Sequence, residues 1–354
     1  MAIPQLAYRR RSLTWNETDC PNRFGRILVT RLNSDSPMNL QIRPFEDGDH
    51  EASARVFSEV FPDFPITGND SRRVRASRRN PFSIVARTPG TGHAVGFGEI
   101  WQESRMNYPG KYWGWVLVDP EYQGRGIGAR VYDCLMSELC KLGAETVWVN
   151  ARDDYPQHLR FVRRRGFHEL WRNITQRLCV REVDLSGIED MTDQARERGT
   201  SIVTLSKEIQ ENADYLRDLS ELQNLIEADV PRAGYFTPAT YDEFVDGFSR
   251  GTHLPDGYFL AKHGEKYVGL SYLQTTEGDP RILEIGLTGI RPEYRRQGIA
   301  RLLKLHTIKY ASERGVDAIE TGSNSSNDPI LTLNESVGFH KTYAWVTFEK
   351  SLHN

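Results

Sequence analysis

The chain has 354 residues, 38% hydrophobic and 26% charged, with a formal net charge of −3. That is enough apolar material for two ordinary cores, without the positive surplus or acidic tail that would point to nucleic acid or another polyionic partner. No window of about 18 apolar residues offers a helical membrane span. Cys20, Cys134, Cys140 and Cys179 form no C-x-x-C pair, which leaves no zinc or disulfide framework.

Residues 1–37 carry Arg9, Arg10, Arg11, Arg23, Arg26 and Arg31 against only Glu17, Asp19 and Asp35. They lack the apolar centre of a secretory signal and are read as a disordered extension, or as a stretch upstream of a native start at Met38. A basic transit peptide is the weaker alternative. The expected location is cytoplasmic.

Leu40–Pro44 then reads as a strand and His50–Phe61 as a helix. Phe82–Ala86 and Ala94–Gln102 form a hairpin about Gly90-Thr91-Gly92. Tyr112–Val118 is a strand, followed by a glycine loop and a helix from Arg125 to Leu142. In that helix Val131, Leu135, Leu139 and Leu142 keep helical spacing, Cys134 and Cys140 are expected in the core, and Gly143 ends the element. Thr146–Asn150, a helix over Gln157–Arg165 and a strand over Glu169–Val180 close this sheet. Arg181–Gly199 reads as a charged linker with a short surface helix.

The order then recurs: strand Ile202–Leu205, helix Ala213–Ala228, hairpin Tyr258–Lys262 and Lys266–Gln274, strand Ile282–Gly289 and helix Gln297–Glu313. Strand Ala318–Thr321, helix Pro329–Ser336 and strand Lys341–Phe348 follow. Pro120-Glu121-Tyr122 reappears as Pro292-Glu293-Tyr294, Gly126-Ile127 as Gly298-Ile299, and Gly166-Phe167 as Gly338-Phe339. Each recurrence lies 172 residues on (120 to 292, 126 to 298, 166 to 338). One spacing shared by three landmarks implies duplication of a whole domain, not a solenoid. The boundaries read as 38–180 and 201–354, joined by 181–200.

The loops are Gln123-Gly124-Arg125-Gly126-Ile127-Gly128 and Arg295-Arg296-Gln297-Gly298-Ile299-Ala300. Each joins a strand to a helix, whose first N–H groups are unpaired and favour an anion. Small residues admit a phosphate to the backbone, and Arg125, Arg295 and Arg296 add cationic donors. A tight turn without ligand is the alternative. Neither loop is a G-x-G-x-x-G or Walker sequence, and each comes late in its copy.

Gln123, Gly126 and Gly128, and in the second copy Arg295, Gly298 and Ala300, match Gln/Arg-x-x-Gly-x-Gly/Ala. With the element order, they make each copy resemble the GNAT N-acetyltransferase superfamily. The second copy adds Thr288, Gly289, Lys304, Thr321, Asn324, Asn327, Pro329, Asn334, Gly338 and Phe339. The resemblance implies two tandem α/β domains, each a central mixed, mostly antiparallel sheet flanked by helices. It implies acetyl-CoA as co-substrate and no metal. The pyrophosphate would lie on Gln123, Gly124, Arg125, Gly126 and Gly128 or on Arg295, Arg296, Gln297, Gly298 and Ala300. Strand ends Val118 and Ile290 would pair with the pantetheine arm, and Asn327 would lie near the cofactor.

Amide formation needs a base for the amine, a donor to the oxyanion and a proton for the leaving thiolate. Glu284, on the strand entering the second loop, is the preferred base, with a surface glutamate as the bland alternative. Glu99 and Glu103 are weaker candidates. The family often places a tyrosine acid four residues before the Gly-Phe glycine, but those positions hold Val162 and Asn334. Asn334 is expected either to orient a water or substrate or to serve its own helix. The resulting expectation is an acetyl-CoA-dependent N-acetyltransferase acting on the primary amine of a small molecule: an amino-sugar, amino acid or antibiotic-like amine. The alternatives are a peptide or protein N-terminus as acceptor, or a non-catalytic acyl-CoA-binding scaffold. A monomer or homodimer is expected.

Overall fold

The computed structural model describes residues 40–102, 110–232, 236–249, 251–276 and 279–352. The expectations for residues 1–37, Met38 and Glu103 lie outside these. The described chain forms two compact units. The first contains residues 40–150, 166–168 and 348–352, and the second 151–165 and 169–347. No helix among the described residues is long and apolar enough to cross a membrane.

In the first unit the elements are β1 (Gln41–Pro44), α1 (His50–Val60), α2 (Gly68–Ala76), β2 (Arg79–Arg87), β3 (Ala94–Gln102), β4 (Lys111–Val118), α3 (Ile127–Lys141) and β5 (Thr146–Arg152). Strand order is β1-β2-β3-β4-β5, with β4–β5 the parallel pair and the others antiparallel. The α3 residues Ile127, Val131, Leu135 and Leu139 recur every four positions and are buried, giving a one-sided apolar stripe. Gly98 lets this stripe approach, since a Cβ there would lie 2.5 Å from Val131 Cγ1. Cys140 corrects the core expectation: it is exposed, and Cys134 is half-buried, because both lie off the stripe. Helix α2 was not legible from periodicity, since GNDSRRVRA carries almost no apolar residue. A capping box between Thr67 and Asp70 starts it instead.

The second unit contains α4 (Pro156–Arg163), β6 (His168–Cys179), α5 (Ile188–Glu197), β7 (Thr200–Thr204), α6 (Leu205–Glu211), α7 (Tyr215–Ala228) and α8 (Tyr241–Ser249). It continues with β8 (His253–His263), β9 (Lys266–Thr275), β10 (Ile282–Ile290), α9 (Ile299–Glu313), β11 (Ala318–Asn324), α10 (Asp328–Ser336) and β12 (His340–Ser351). Strand order is β12-β6-β11-β10-β9-β8-β7. The β10–β11 pair is parallel, and β6–β11, β9–β10, β8–β9 and β7–β8 are antiparallel. One face of the sheet packs on α9 through Leu273, Leu283, Ile285, Leu302, Leu305 and Ile308. The other carries Tyr258, Leu260, Leu270 and Tyr272 against Leu219, Leu222 and Ile226 of α7 and Phe244 of α8.

Strand β6 corrects the expectation that Glu169–Val180 closes the first sheet. It pairs with β11 from Ala318↔Cys179 to Asn324↔Asn173. Alternation identifies a strand and its buried face, but a sequence pattern names no partner. The segment after β6 is also built in: Val180 and Ile188 are buried in the α9 core, with Val183, Leu185, Met191 and Ala195 packed against it.

Leu178→Ala tests this assignment. Leu178 is buried in the second unit's core, so its truncation is expected to lower unfolding free energy by about 2–5 kcal/mol in denaturant melts. A loss under ~1 kcal/mol would contradict the packing.

Candidate active site

Both loops fold alike. Gly126 and Gly298 are the N-caps of α3 and α9, at φ 79° and 80°. Neither helix start has a side-chain cap or an acidic residue in its first turn. The first-turn amides therefore keep their unpaired, electropositive character. A Cβ at Gly124, Gly126 or Gly298 would meet nothing within 4 Å, so glycine answers to φ here and not to space. Arg296 takes the place of Gly124 and adopts φ 60°.

The first signature residue plays the same part in each copy. Gln123 Nε2 donates to the Val118 carbonyl at 3.0 Å, and Arg295 Nε donates to the Ile290 carbonyl at 3.1 Å. Arg295 also pairs with Asp229. Both side chains tie the loop back to the strand that enters it. Arg125 donates to the Glu121 carbonyl at 3.0 Å and lies 5.1 Å from the Tyr122 ring centroid. Arg125, Arg296 and Gln297 are exposed, while Gly128 and Ala300 are half-buried within the first turns. Asn327 is the N-cap of α10 but makes no side-chain capping bond.

Beyond the loops, the parallel pairs stop early. The β10–β11 register covers Ile282–Glu284, yet β10 runs on to Ile290. The β4–β5 register covers Lys111–Gly114, yet β4 runs on to Val118. Each strand thus presents a stretch of backbone beyond its neighbour, suited to an extended ligand. In β10 this stretch opens on a bulge: the register with β9 shifts between Ile285 and Thr288, which sets Gly286 and Leu287 against Tyr272 and takes backbone groups out of the ladder. The β3–β4 register has no such shift.

Glu284 ends the parallel register, opposite Glu320 on β11 and opposite Gln274 on β9. Register partners share a face, and this row continues to His253 on β8 and Arg177 on β6. Leu283 and Ile285 face α9, so Glu284 faces the α7 and α8 side. It is half-buried and accepts from Gln274 Nε2 at 3.0 Å. Desolvation, reinforced by the Glu320 charge and opposed by the Gln274 bond, pushes its pKa up to about 7. Glu320 itself pairs with Arg177 at 2.8 Å.

Asn334 lies on the opposite face and is fully buried. Its Nδ2 donates to Gln176 Oε1 at 2.8 Å, and its Oδ1 has no hydrogen-bond partner among the described residues. Gln176 is the register partner of Thr321, whose hydroxyl reaches the Ile285 carbonyl at 3.4 Å. A line of polar groups therefore joins Asn334 to β10 just past Glu284. Lys304 is also buried, 5.4 Å from the Phe339 ring, and burial lowers its pKa to about 7. Its counterpart 172 residues earlier, Tyr132, faces Phe167 in the same way.

The first unit fills the Glu284 row differently. Trp148 stands where Glu320 does, 172 residues earlier, and its row is Trp101–Trp113–Trp148. Trp148 Nε1 donates to Glu349 at 2.7 Å, and Glu349 is the counterpart of Arg177. The Arg78 guanidinium lies 3.7 Å from the Trp101 ring and 5.0 Å from Trp115. Glu99, a candidate base, is held by Arg75, Arg78 and the Ser83 hydroxyl. Sequence reading missed Gln274, Glu320, Arg177 and Gln176. Their signal was the strand register, which the 172-residue offset alone does not supply, because the bulge moves Glu284 out of step.

Residues 41–167 and 219–339 each match the family model for acetyltransferases of the GNAT family. A mycothiol acetyltransferase of Thermobispora bispora is 25% identical over 240 residues, 64% of this chain and 72% of that protein. Another, from Rhodococcus jostii, is 22% identical over 263 residues, 73% and 79% of the two chains. A GCN5-related N-acetyltransferase from Sphaerobacter thermophilus superposes with a TM-score of 0.66 at 17% identity, over 89% of this chain and 96% of that one. A tandem GNAT protein from the clavulanic acid biosynthesis pathway gives 0.64 at 18% identity, over 89% and 99%. At such identities the two structures share the fold.

Gly298→Ala forces a Cβ into a left-handed backbone position, at a cost of about 1–2 kcal/mol. Thermal unfolding is expected to register that loss, and calorimetric titration with CoA a weaker affinity. Unchanged affinity would separate the second loop from cofactor binding.

Proposed function

Because this chain belongs to the acetyltransferase (GNAT) family, we propose that its second unit acetylates the primary amine of a small molecule at the β10–β11 opening, with Glu284 as the base. The observation that carries this reading is the place of Glu284. It is a half-buried carboxylate at the head of a strand opening, with a pKa of about 7. A base poised near neutrality both accepts a proton and survives in ionised form. The relatives' name, mycothiol acetyltransferase, supports a small-molecule acceptor such as an amino-sugar, amino acid or antibiotic-like amine.

The residues fit acetyl-CoA, the co-substrate that the family uses. Uncapped, acid-free helix starts at Gly298 and Gly126 suit its pyrophosphate. Arg296, Gln297 and Ala300, or Gly124, Arg125 and Gly128, would border it, with Ile290 or Val118 beside the arm and Asn327 nearby. When bound it supplies an acyl group already activated as a thioester. Arg295 and Gln123 act at one remove, by holding their loops. The bulge at Gly286 and Leu287 offers backbone N–H groups to developing negative charge. Glu284 takes the proton that the amine loses. Asn334 has no acidic proton, so protonation of a thiolate of pKa about 8.5 falls to solvent.

The first unit keeps the loop and the opening without the base. Its row is tryptophan and its β3–β4 register has no bulge. It fits a CoA-holding partner domain.

Glu284→Gln is expected to reduce kcat in a thiol-release assay about 10²–10⁴-fold. Glu284 works only when ionised, so kcat/KM of the unaltered protein should fall as pH drops through about 7. A flat profile from pH 6 to 8, or full turnover by E284Q, contradicts the assignment.

A further inference from the structure

The Glu284 row holds a second carboxylate that base catalysis alone does not require. Glu320 lies directly opposite Glu284 in the last pair of the parallel register, and both are half-buried. Like charges opposite each other in a sheet destabilise it. Glu320 has Arg177 as its register partner on β6 and Glu284 as its register partner on β10. The ion pair accounts for the first juxtaposition and leaves the second, carboxylate facing carboxylate, without a structural partner. The first unit shows the sheet without this conflict: its row has Trp113 facing Trp148, and Trp148 Nε1 donates to the Glu349 carboxylate at 2.7 Å.

We propose that Glu320, anchored by Arg177, is the second carboxylate of the acceptor subsite and docks the ammonium form of the acceptor beside Glu284. The inference rests on Glu284 being the base. A primary amine reaches a neutral site as R–NH3+. Between two carboxylates it can bond to both. Glu284 then takes one proton, becomes the neutral acid and leaves R–NH2 with its lone pair free. Glu320 is held in place for this contact by the Arg177 guanidinium at 2.8 Å. One carboxylate therefore moves a proton, and the other positions the amine beside it.

The arrangement also chooses among acceptors. Arg177 is engaged with Glu320 and so is not offered to a ligand carboxylate. An α-amino acid would bring its own carboxylate against Glu320 and Glu284 and be repelled. An amine on an uncharged skeleton, such as an amino-sugar or amino-alcohol, would not. Strand β6, which carries Arg177, precedes the second sequence copy, so the subsite is incomplete without it.

The test compares the full-length protein with E320Q, E320D and E284Q in thiol release from acetyl-CoA. The acceptors are glucosamine and the matched pair 2-amino-1-propanol and alanine. The unaltered protein should favour glucosamine or the amino-alcohol over alanine by about 100-fold in kcat/KM. E320Q should raise KM for the favoured amine about tenfold or more, the worth of one charged hydrogen bond, with kcat within about threefold. E320D should recover most of that KM. E284Q should lose kcat instead. If E320Q leaves KM unchanged while E284Q loses kcat, the docking role is wrong and the base stands. If E284Q retains kcat while E320Q loses affinity, the base assignment is wrong. Preference for alanine overturns the selectivity, and no release with any of the amines overturns both readings.

Discussion

A parallel strand pair that stops after three residues, while one of its strands continues, is the constraint on which this site depends. Past Glu284 and Glu320 the backbone of β10 has lost its partner on one side, and such groups must find others. The strands part there into an opening, across which the Thr321 hydroxyl reaches the Ile285 carbonyl at 3.4 Å. The elements of the candidate site are arranged about it. The bulge at Gly286 and Leu287 lies just beyond it, the glycine-capped start of α9 stands at the end of β10, and the polar row crosses the sheet at its head. Arg295 secures the far end by bonding the carbonyl of Ile290.

The two units show how much of this geometry is scaffold and how much is chemistry. Loop, left-handed glycine, strand tether and strand opening occur in both, at equivalent residues. The bulge and the carboxylate row occur in the second. Where the second unit pairs Glu284 with Glu320, the first pairs Trp113 with Trp148, an aromatic row in place of a carboxylate one at the same cross-strand register. The two copies thus share the loop and the strand opening and differ in the row at the head of the opening. Gln176 and Arg177 on β6 supply the second unit with partners for Asn334 and Glu320, which makes a strand from the first copy part of the second site.

Much of the fold was legible because its signals are local. The spacing of Val131, Leu135 and Leu139, the glycine at 143, and the doubled loops each act within a few residues. Helices α2 and α8 escaped periodicity, although Thr67 with Asp70 and Thr240 with Glu243 mark their starts. The destination of β6 could not be read, because a strand's partner is a long-range property. Of the site, the loops and Glu284 were visible as motifs and position. Glu320, Arg177, Gln274 and Gln176 became visible only through register, where one extra residue in β10 breaks the simple repeat. Asn334 was noticed for replacing a tyrosine, but its burial and its bond to Gln176 come from packing that no spacing reveals.

The most direct measurement is a crystal structure of the full chain with acetyl-CoA. The acetyl thioester is expected between β10 and β11, level with the Gly286–Leu287 bulge and with Glu284 facing the carbonyl carbon from the α7 and α8 side. A thioester lodged only between β4 and β5, or a pyrophosphate away from the α9 start, would contradict it.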